Sequence, residues 1–251
     1  MDDRELAERP YMSLWPFCRM LARASQTARL EEGDGVIAAV TPATPERSVT
    51  NSVAYEDAIA LERALDSLAD LYTEAGVRAW TVWARAEDGE AKRVLETAGH
   101  RLDATPAGMA LKLSGFARSP SPALDLDRDP EPEVIGDIND AAYGWDGDFG
   151  RAFARRPEGL HLYAARIDGR AVACAATVHE GDDCGVYLVA TRPEARGRGL
   201  AADLMTVALN DAREAGCETA SLQSTAMGKP VYLRLGFRDL GPLEMWERRA
   251  T

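Results

Sequence analysis

The stretch from Cys184 to Gly216 constrains this chain most: an apolar run, CGVYLVAT, then RPEARGRG, then LAADLMTVALNDAREAG. The first run reads as a strand. The last puts Leu200, Leu204, Val207 and Ala208 on one face, an amphipathic helix that stops at Gly216. Glycine is costly inside a helix, so Gly197 and Gly199 belong to the turn before it. A helix N-terminus carries backbone N–H groups without partners and about half a positive charge. Small residues let an anion reach those groups, and Arg196 or Arg198 can add a charge-assisted bond. The segment thus reads as an anion cradle between strand and helix. The competing reading is a tight helix entry with its arginines in water. No GK[ST] follows, and the third glycine and downstream acid of a dinucleotide fingerprint are missing.

Similar elements appear in the same order on both sides of a proline-rich stretch, Ser114 to Val134. In the second half Val134–Gly144 opens a helix, and LHLYAARI and AVACAATV are strands joined by a turn at IDGR. The glycine turn and its helix follow, then a strand TASLQS, a short helix KPVYLRL and a last strand near LEMWER. In the first half, ARL…GVIAAV corresponds to ARI…AVACAA, and EDAIALERALDSLADLYTEAG to the later helix. AWTVWA corresponds to TASLQS, and KRVLETAGH to KPVYLRLGF. The first half is shorter where the glycine turn would be, and Glu56-Asp57-Ala58-Ile59-Ala60-Leu61 stand opposite Arg196 to Ala201. Such self-similarity suggests a duplication in which one copy lost the anion site. The division expected is residues 1–113, a linker over 114–130 that could include a first strand at DLD, and 131–251. Trp80 and Trp83, alternating along AWTVWA, read as core or interface residues.

The net charge of −12 argues against nucleic-acid binding, since phosphate backbones need a basic face. No apolar run approaches the roughly 18 residues of a membrane span, so no membrane partner is expected. MDDRELAERP lacks the basic-then-apolar order of a secretory signal. Cys18, Cys174, Cys184 and Cys217 are scattered and show no metal-ligand spacing with the three histidines. The expectation is a cytoplasmic protein with reduced thiols and no metal.

TRPEARGRGLA, followed some thirty residues later by VYLRLGF, resembles the GNAT superfamily of acyl-CoA-dependent N-acetyltransferases. Its signature, Arg/Gln-x-x-Gly-x-Gly/Ala at a helix start, stands here as Arg196-Gly197-Arg198-Gly199-Leu200-Ala201, and a downstream Tyr-x-x-x-Gly-Phe pattern as Tyr232 to Phe237. The resemblance covers roughly Glu133 to Glu247; in the first 113 residues it rests on the internal comparison.

The resemblance implies an α/β (α+β) fold of two tandem domains, each a mixed, mainly antiparallel sheet flanked by helices. It implies acetyl-CoA as cosubstrate, its pyrophosphate on the amides of Arg196, Gly197, Arg198, Gly199, Leu200 and Ala201. Val189, Ala190 and Thr191 would line the pantetheine arm and acyl carbonyl, and Tyr232 would protonate the departing thiolate. The expected acceptor is a primary amine of a small molecule, attacking the thioester directly. The alternatives are a noncatalytic acyl-CoA-binding module and a purely structural interaction protein, and a homodimer is the assembly to look for. Many members carry a glutamate base where this chain has Gly185; His179, Glu180, Asp182 and Asp183 lie near it, and none is assigned as base. The loop Ala142–Pro157 offers Tyr143, Trp145, Asp146, Asp148 and Phe149 to an acceptor.

Overall fold

Each half of the chain builds one parallel strand pair by a helical crossover and surrounds it with antiparallel strands. The computed structural model describes residues 2–250. After helices α1 (Asp3–Met12) and α2 (Leu14–Ala24), the first half forms β1 (Arg29–Gly33), β2 (Val36–Val40) and β3 (Ser52–Tyr55). Helix α3 (Ala58–Glu74) leads to β4 (Ala79–Arg85), parallel to β3. Helix α4 (Gly89–Thr97) and strands β5 (Arg101–Ala104) and β6 (Ala107–Lys112) complete the half.

The second half opens on β7 (Asp125–Asp127), an edge strand made by the DLD segment, and helices α5 (Pro132–Tyr143) and α6 (Asp148–Ala152). A meander of β8 (Leu160–Ile167), β9 (Arg170–Glu180) and β10 (Asp183–Thr191) follows. Helix α7 (Leu200–Glu214) crosses to β11 (Thr219–Ser224), parallel to β10, before α8 (Lys229–Leu235) and β12 (Arg238–Arg249). The other strand pairs are antiparallel, so the sheet is mixed and mainly antiparallel, with helices packed on it. Leu204, Val207 and Ala208 of α7 are buried as their spacing predicts, in a core with Tyr163, Val186 and Leu222. Leu61, Leu65 and Leu68 of α3 do the same in the first half. None of the described helices is long and apolar enough to cross a membrane.

The halves exchange their last strands. Strand β6 pairs with β11, Lys112 opposite Thr219, while β12 pairs with β4, Met245 opposite Trp83. The sheet therefore runs β1-β2-β3-β4-β12-β6-β11-β10-β9-β8-β7. LEMWER, which reads in sequence as the end of the second half, lies against AWTVWA of the first. Its period of two marks a strand and its faces but carries nothing about which edge it joins.

The N-terminal helices do equally unannounced work. Asp2 caps α1 in a reciprocal capping box with Glu5. Leu14, Cys18, Leu21 and Ala24 of α2 are buried in a third core, shared with α5, α6 and β10 and lying between the two halves.

Two packing features make sharp predictions. Helices α5 and α6 approach so closely that a Cβ on Gly136 would stand 2.7 Å from the Gly150 Cα. Backbone cannot yield there as a flexible side chain could, so Gly136→Ala is expected to cost about 1–3 kcal/mol in urea unfolding. His100 is buried edge-on against Trp80, ring centroids 4.6 Å apart. Burial, reinforced by Arg248, lowers its pKa to about 4. The folded protein then binds fewer protons at His100 than the unfolded chain does, so stability is complete above pH 6.5 and declines as pH falls toward 4. His100→Phe keeps the ring contact and should remove about 2 kcal/mol of the stability lost between pH 7 and pH 5, read as a difference in urea midpoints.

Candidate active site

The turn before α7 is built by backbone conformation. Gly197 and Gly199 sit at φ 77° and 81°, where L side chains are strained, and an added Cβ at either would meet open space. Gly199 is the N-cap of α7, and no side chain caps the helix. The corresponding helix start in the first half is closed: Asp57 caps α3, its carboxylate accepting the Ala60 N–H at 2.9 Å. One helix N-terminus is free to receive an anion, while the other already holds its own.

Arg196 is tied down, its guanidinium donating to the carbonyls of Ala142 at 2.9 Å and Thr191 at 3.3 Å. It braces the turn against the end of α5. The exposed Arg198 and Arg234 make no ion pair or side-chain hydrogen bond among the described residues and are free to meet a phosphate.

Strands β10 and β11 pair only where Asp183–Gly185 face Thr219–Ser221, and then part. On the β9 side the register shifts between Tyr187 and Ala190, with Leu188 at φ 54°. Val189, Ala190 and Thr191 follow that irregularity and line the opening. Separated strands leave backbone groups without ladder partners, which an extended ligand can supply. The equivalent gap between β3 and β4 is plugged. The Tyr11 hydroxyl donates to the Tyr55 carbonyl at 2.8 Å and accepts from the Tyr55 N–H at 3.2 Å, with the Trp83 carbonyl also within 3.3 Å.

Tyr232 lies on α8, 8% exposed, its ring edge-on to Phe237. Burial foremost, and then the Tyr143 phenol, push its pKa well above the ordinary tyrosine value. It therefore keeps its proton at neutral pH and can act as a donor.

The glycine turn, the separated strand and Tyr232 all open into one cleft of about 960 Å³. Its far wall comes from elsewhere: Phe17 and Leu21 of α2, Val49, Trp83 of β4, and Met245 of β12. Sequence reading missed these contributors. The apolar face of α2 was visible in the spacing of Leu14, Phe17 and Leu21, but what it faces was not. Trp83, read as core or interface, is both buried and part of the wall, its indole N–H donating to the Ser52 hydroxyl at 2.9 Å.

The acidic residues considered for handling an amine are engaged elsewhere. Asp182 pairs with Arg9 at 2.6 Å, Glu180 with Arg19 at 2.6 Å, and Asp183 accepts from the Thr219 and Ser221 hydroxyls. The His179 ring stacks on His161. None of the four lines the cleft. In the 142–157 loop, Asp148 is held by Arg47 at 2.5 Å and by Arg151. Burial opposes ionisation of Asp148, but these two arginines outweigh it and its pKa lies below the usual range. Arg47 also covers the Trp145 ring, 4.6 Å from its centroid. Tyr143, Trp145 and Phe149 do reach the cleft; Asp146 and Asp148 do not.

The glutamate position is sterically closed as well. A Cβ on Gly185 would stand 2.1 Å from the Tyr187 hydroxyl oxygen. Tyr187 is fixed over that spot by stacking on Phe17 and donating to the Ser13 carbonyl at 2.7 Å. Among the described residues no group of three His, Cys, Asp or Glu side chains is placed to bind a metal ion.

A parted strand is thus followed by an uncapped glycine turn on a mixed sheet flanked by helices. Residues 123–237 match the model of the acetyltransferase (GNAT) family. Over its whole length it is similar in fold to a GCN5-related N-acetyltransferase from Kribbella flavida. The TM-score is 0.70 at 18% identity, covering 98% of this chain and 96% of that one. A GCN5-related N-acetyltransferase from Sphaerobacter thermophilus matches with TM-score 0.60 at 16% identity, covering 97% and 93%. A tandem GNAT protein from the clavulanic acid biosynthesis pathway matches with TM-score 0.58 at 14% identity, covering 100% and 96%. No curated protein matches the chain in sequence.

Proposed function

We propose that this protein is an acyl-CoA-dependent N-acetyltransferase that moves an acetyl group from acetyl-CoA to a primary amine of a small molecule. The observation that carries the reading is the uncapped, glycine-entered N-terminus of α7, opening into the same cleft as Tyr232. Amides of residues 196–201 hold the pyrophosphate, helped by Arg198 and Arg234, while Arg196 braces the turn. Val189, Ala190 and Thr191 line the pantetheine arm and orient the thioester carbonyl. The neutral amine attacks that carbonyl, the carbon–sulfur bond breaks, and the Tyr232 hydroxyl gives its proton to the departing sulfur. Orientation and pre-placed donors supply the catalysis, and no covalent enzyme intermediate is needed.

In this reading residues 131–251 carry the catalysis, and residues 1–113 close the acceptor side of the cleft. The plugged gap at Tyr11 and the Asp57 cap support a first half that binds no coenzyme. The test is calorimetric titration with acetyl-CoA, followed by thiol release across a panel of primary amines. One site per chain and amine-dependent release are expected. Binding without release above background would make the chain a coenzyme-binding module, and no binding would remove the reading altogether.

A further inference from the structure

We infer that the acceptor is an apolar primary amine that is already neutral at pH 7, of the arylamine class rather than an aliphatic ammonium. The inference rests on the acetyltransferase reading and names the substrate class of the same cleft.

Among the described residues, the lining of the cleft contains no aspartate, glutamate, histidine or lysine. Among the described residues its charged side chains are Arg196 and Arg198 of the glycine turn and Arg234 of α8, all three arginines. Its other titratable groups are Tyr143, Tyr187 and Tyr232, and burial foremost holds each phenol above its ordinary pKa, so none is poised to accept a proton. Of the carboxylates adjacent in sequence to the lining, Asp148 is held by two arginines, and Asp140 accepts from the N–H groups of Phe149 and Gly150 at 2.9 and 3.2 Å. Asp203 accepts the Ser121 N–H, Glu194 pairs with Arg170 and Glu244 with Lys92, while Asp103 and Asp146 do not line the cleft. The place for a glutamate on β10 is filled by the Tyr187 ring.

An ammonium entering this cleft would lose its hydration, find no anion to pair with, and meet no group to take its proton. An alkylamine resembling lysine, with a pKa of about 10.4, is neutral in fewer than about one molecule in a thousand at pH 7. A weakly basic amine carries none of these costs. What the lining offers instead is aromatic residues: Phe17, Trp83, Trp145, Phe149 and Phe153. Trp145 and Phe149 stack with centroids 4.0 Å apart, and Phe149 and Phe153 with centroids 6.3 Å apart. With Trp145 stacked on Phe149 and covered by Arg47, and Phe17 stacked on Tyr187, these rings form an apolar lining that favours an apolar ligand over an ammonium.

The reaction balances without an enzymatic base. The neutral nitrogen forms the bond to the acyl carbon, the carbon–sulfur bond breaks and the thiolate leaves with the Tyr232 proton. The proton shed by the nitrogen passes to water, and Tyr232 regains a proton from water.

The test compares two isomers with identical atoms, 4-ethylaniline and 2-phenylethylamine, at fixed acetyl-CoA, with acetyl-CoA binding confirmed separately by titration. At pH 7 the arylamine is expected to be acetylated with kcat/KM at least 100-fold higher. Its pH profile should be flat from pH 6.5 to 8.5, while that of 2-phenylethylamine should climb about tenfold per unit. Preference for 2-phenylethylamine or for spermidine at pH 7 would overturn the inference, as would acetylation of neither isomer. Preference for a bulkier acyl-CoA with no discrimination between the amines would also overturn it, by giving the apolar wall to the acyl group. Each of these outcomes leaves coenzyme binding intact, whereas failure of the acetyltransferase reading shows as loss of acetyl-CoA binding itself.

Discussion

Gly199→Glu should abolish measurable acetyl-CoA binding while leaving the fold in place. The residue caps α7 at φ 81°, and a side chain there meets no neighbour within 4 Å, so the fold bears only the left-handed strain of about 1–2 kcal/mol. The carboxylate, in contrast, would stand where the pyrophosphate is proposed to sit. It can cap the helix as Asp57 does in the first half, occupying the amides and repelling the ligand. Charge-assisted hydrogen bonds are worth about 1.5–3 kcal/mol each, so losing two raises Kd by at least about 100-fold. Gly199→Asn separates conformation from charge: asparagine tolerates this backbone and should stay within about tenfold of wild type. Calorimetric titration, with circular dichroism on each variant, decides. Unchanged binding in Gly199→Glu would move the pyrophosphate away from this helix.

Tyr232→Phe should lower kcat by about 100-fold to 10,000-fold with little change in the KM for acetyl-CoA. The phenylalanine ring keeps the edge-on contact with Phe237, so packing is preserved and only the hydroxyl is lost. Because burial holds the phenol well above its ordinary pKa, the wild-type rate should not fall between pH 7 and pH 10 through loss of this proton. An unchanged kcat would make Tyr232 a packing residue and water the donor to sulfur.

The glycine-turn side of the cleft was legible because its parts are contiguous. A strand, a glycine turn and a helix within 33 residues carry their geometry in local rules, so the cradle at 196–201 could be placed from sequence. Tyr232 was legible by its spacing from Gly236 and Phe237. The opposite wall was not, because Phe17, Val49, Trp83 and Met245 come from four separate segments brought together by the exchange of β6 and β12 and by α2. The acidic loop at 142–157 misled for a related reason. Composition suggested a site for a cation, but Arg47, about a hundred residues earlier, neutralises Asp148 in the folded chain.

The sequence by itself determined the mixed sheet, the repeated order of elements, the open helix start at Gly199 and the short helix that carries Tyr232. Each depends on residues close enough along the chain for backbone propensity and periodicity to fix their relation. Only the tertiary structure decided that the halves complete each other's sheet, that Tyr11 closes one strand gap while the other stays open, and that no carboxylate or imidazole among the described residues lines the cleft. Those outcomes follow from strand-edge pairing and from charge pairs across distant segments, which side-chain alternation and composition leave undetermined.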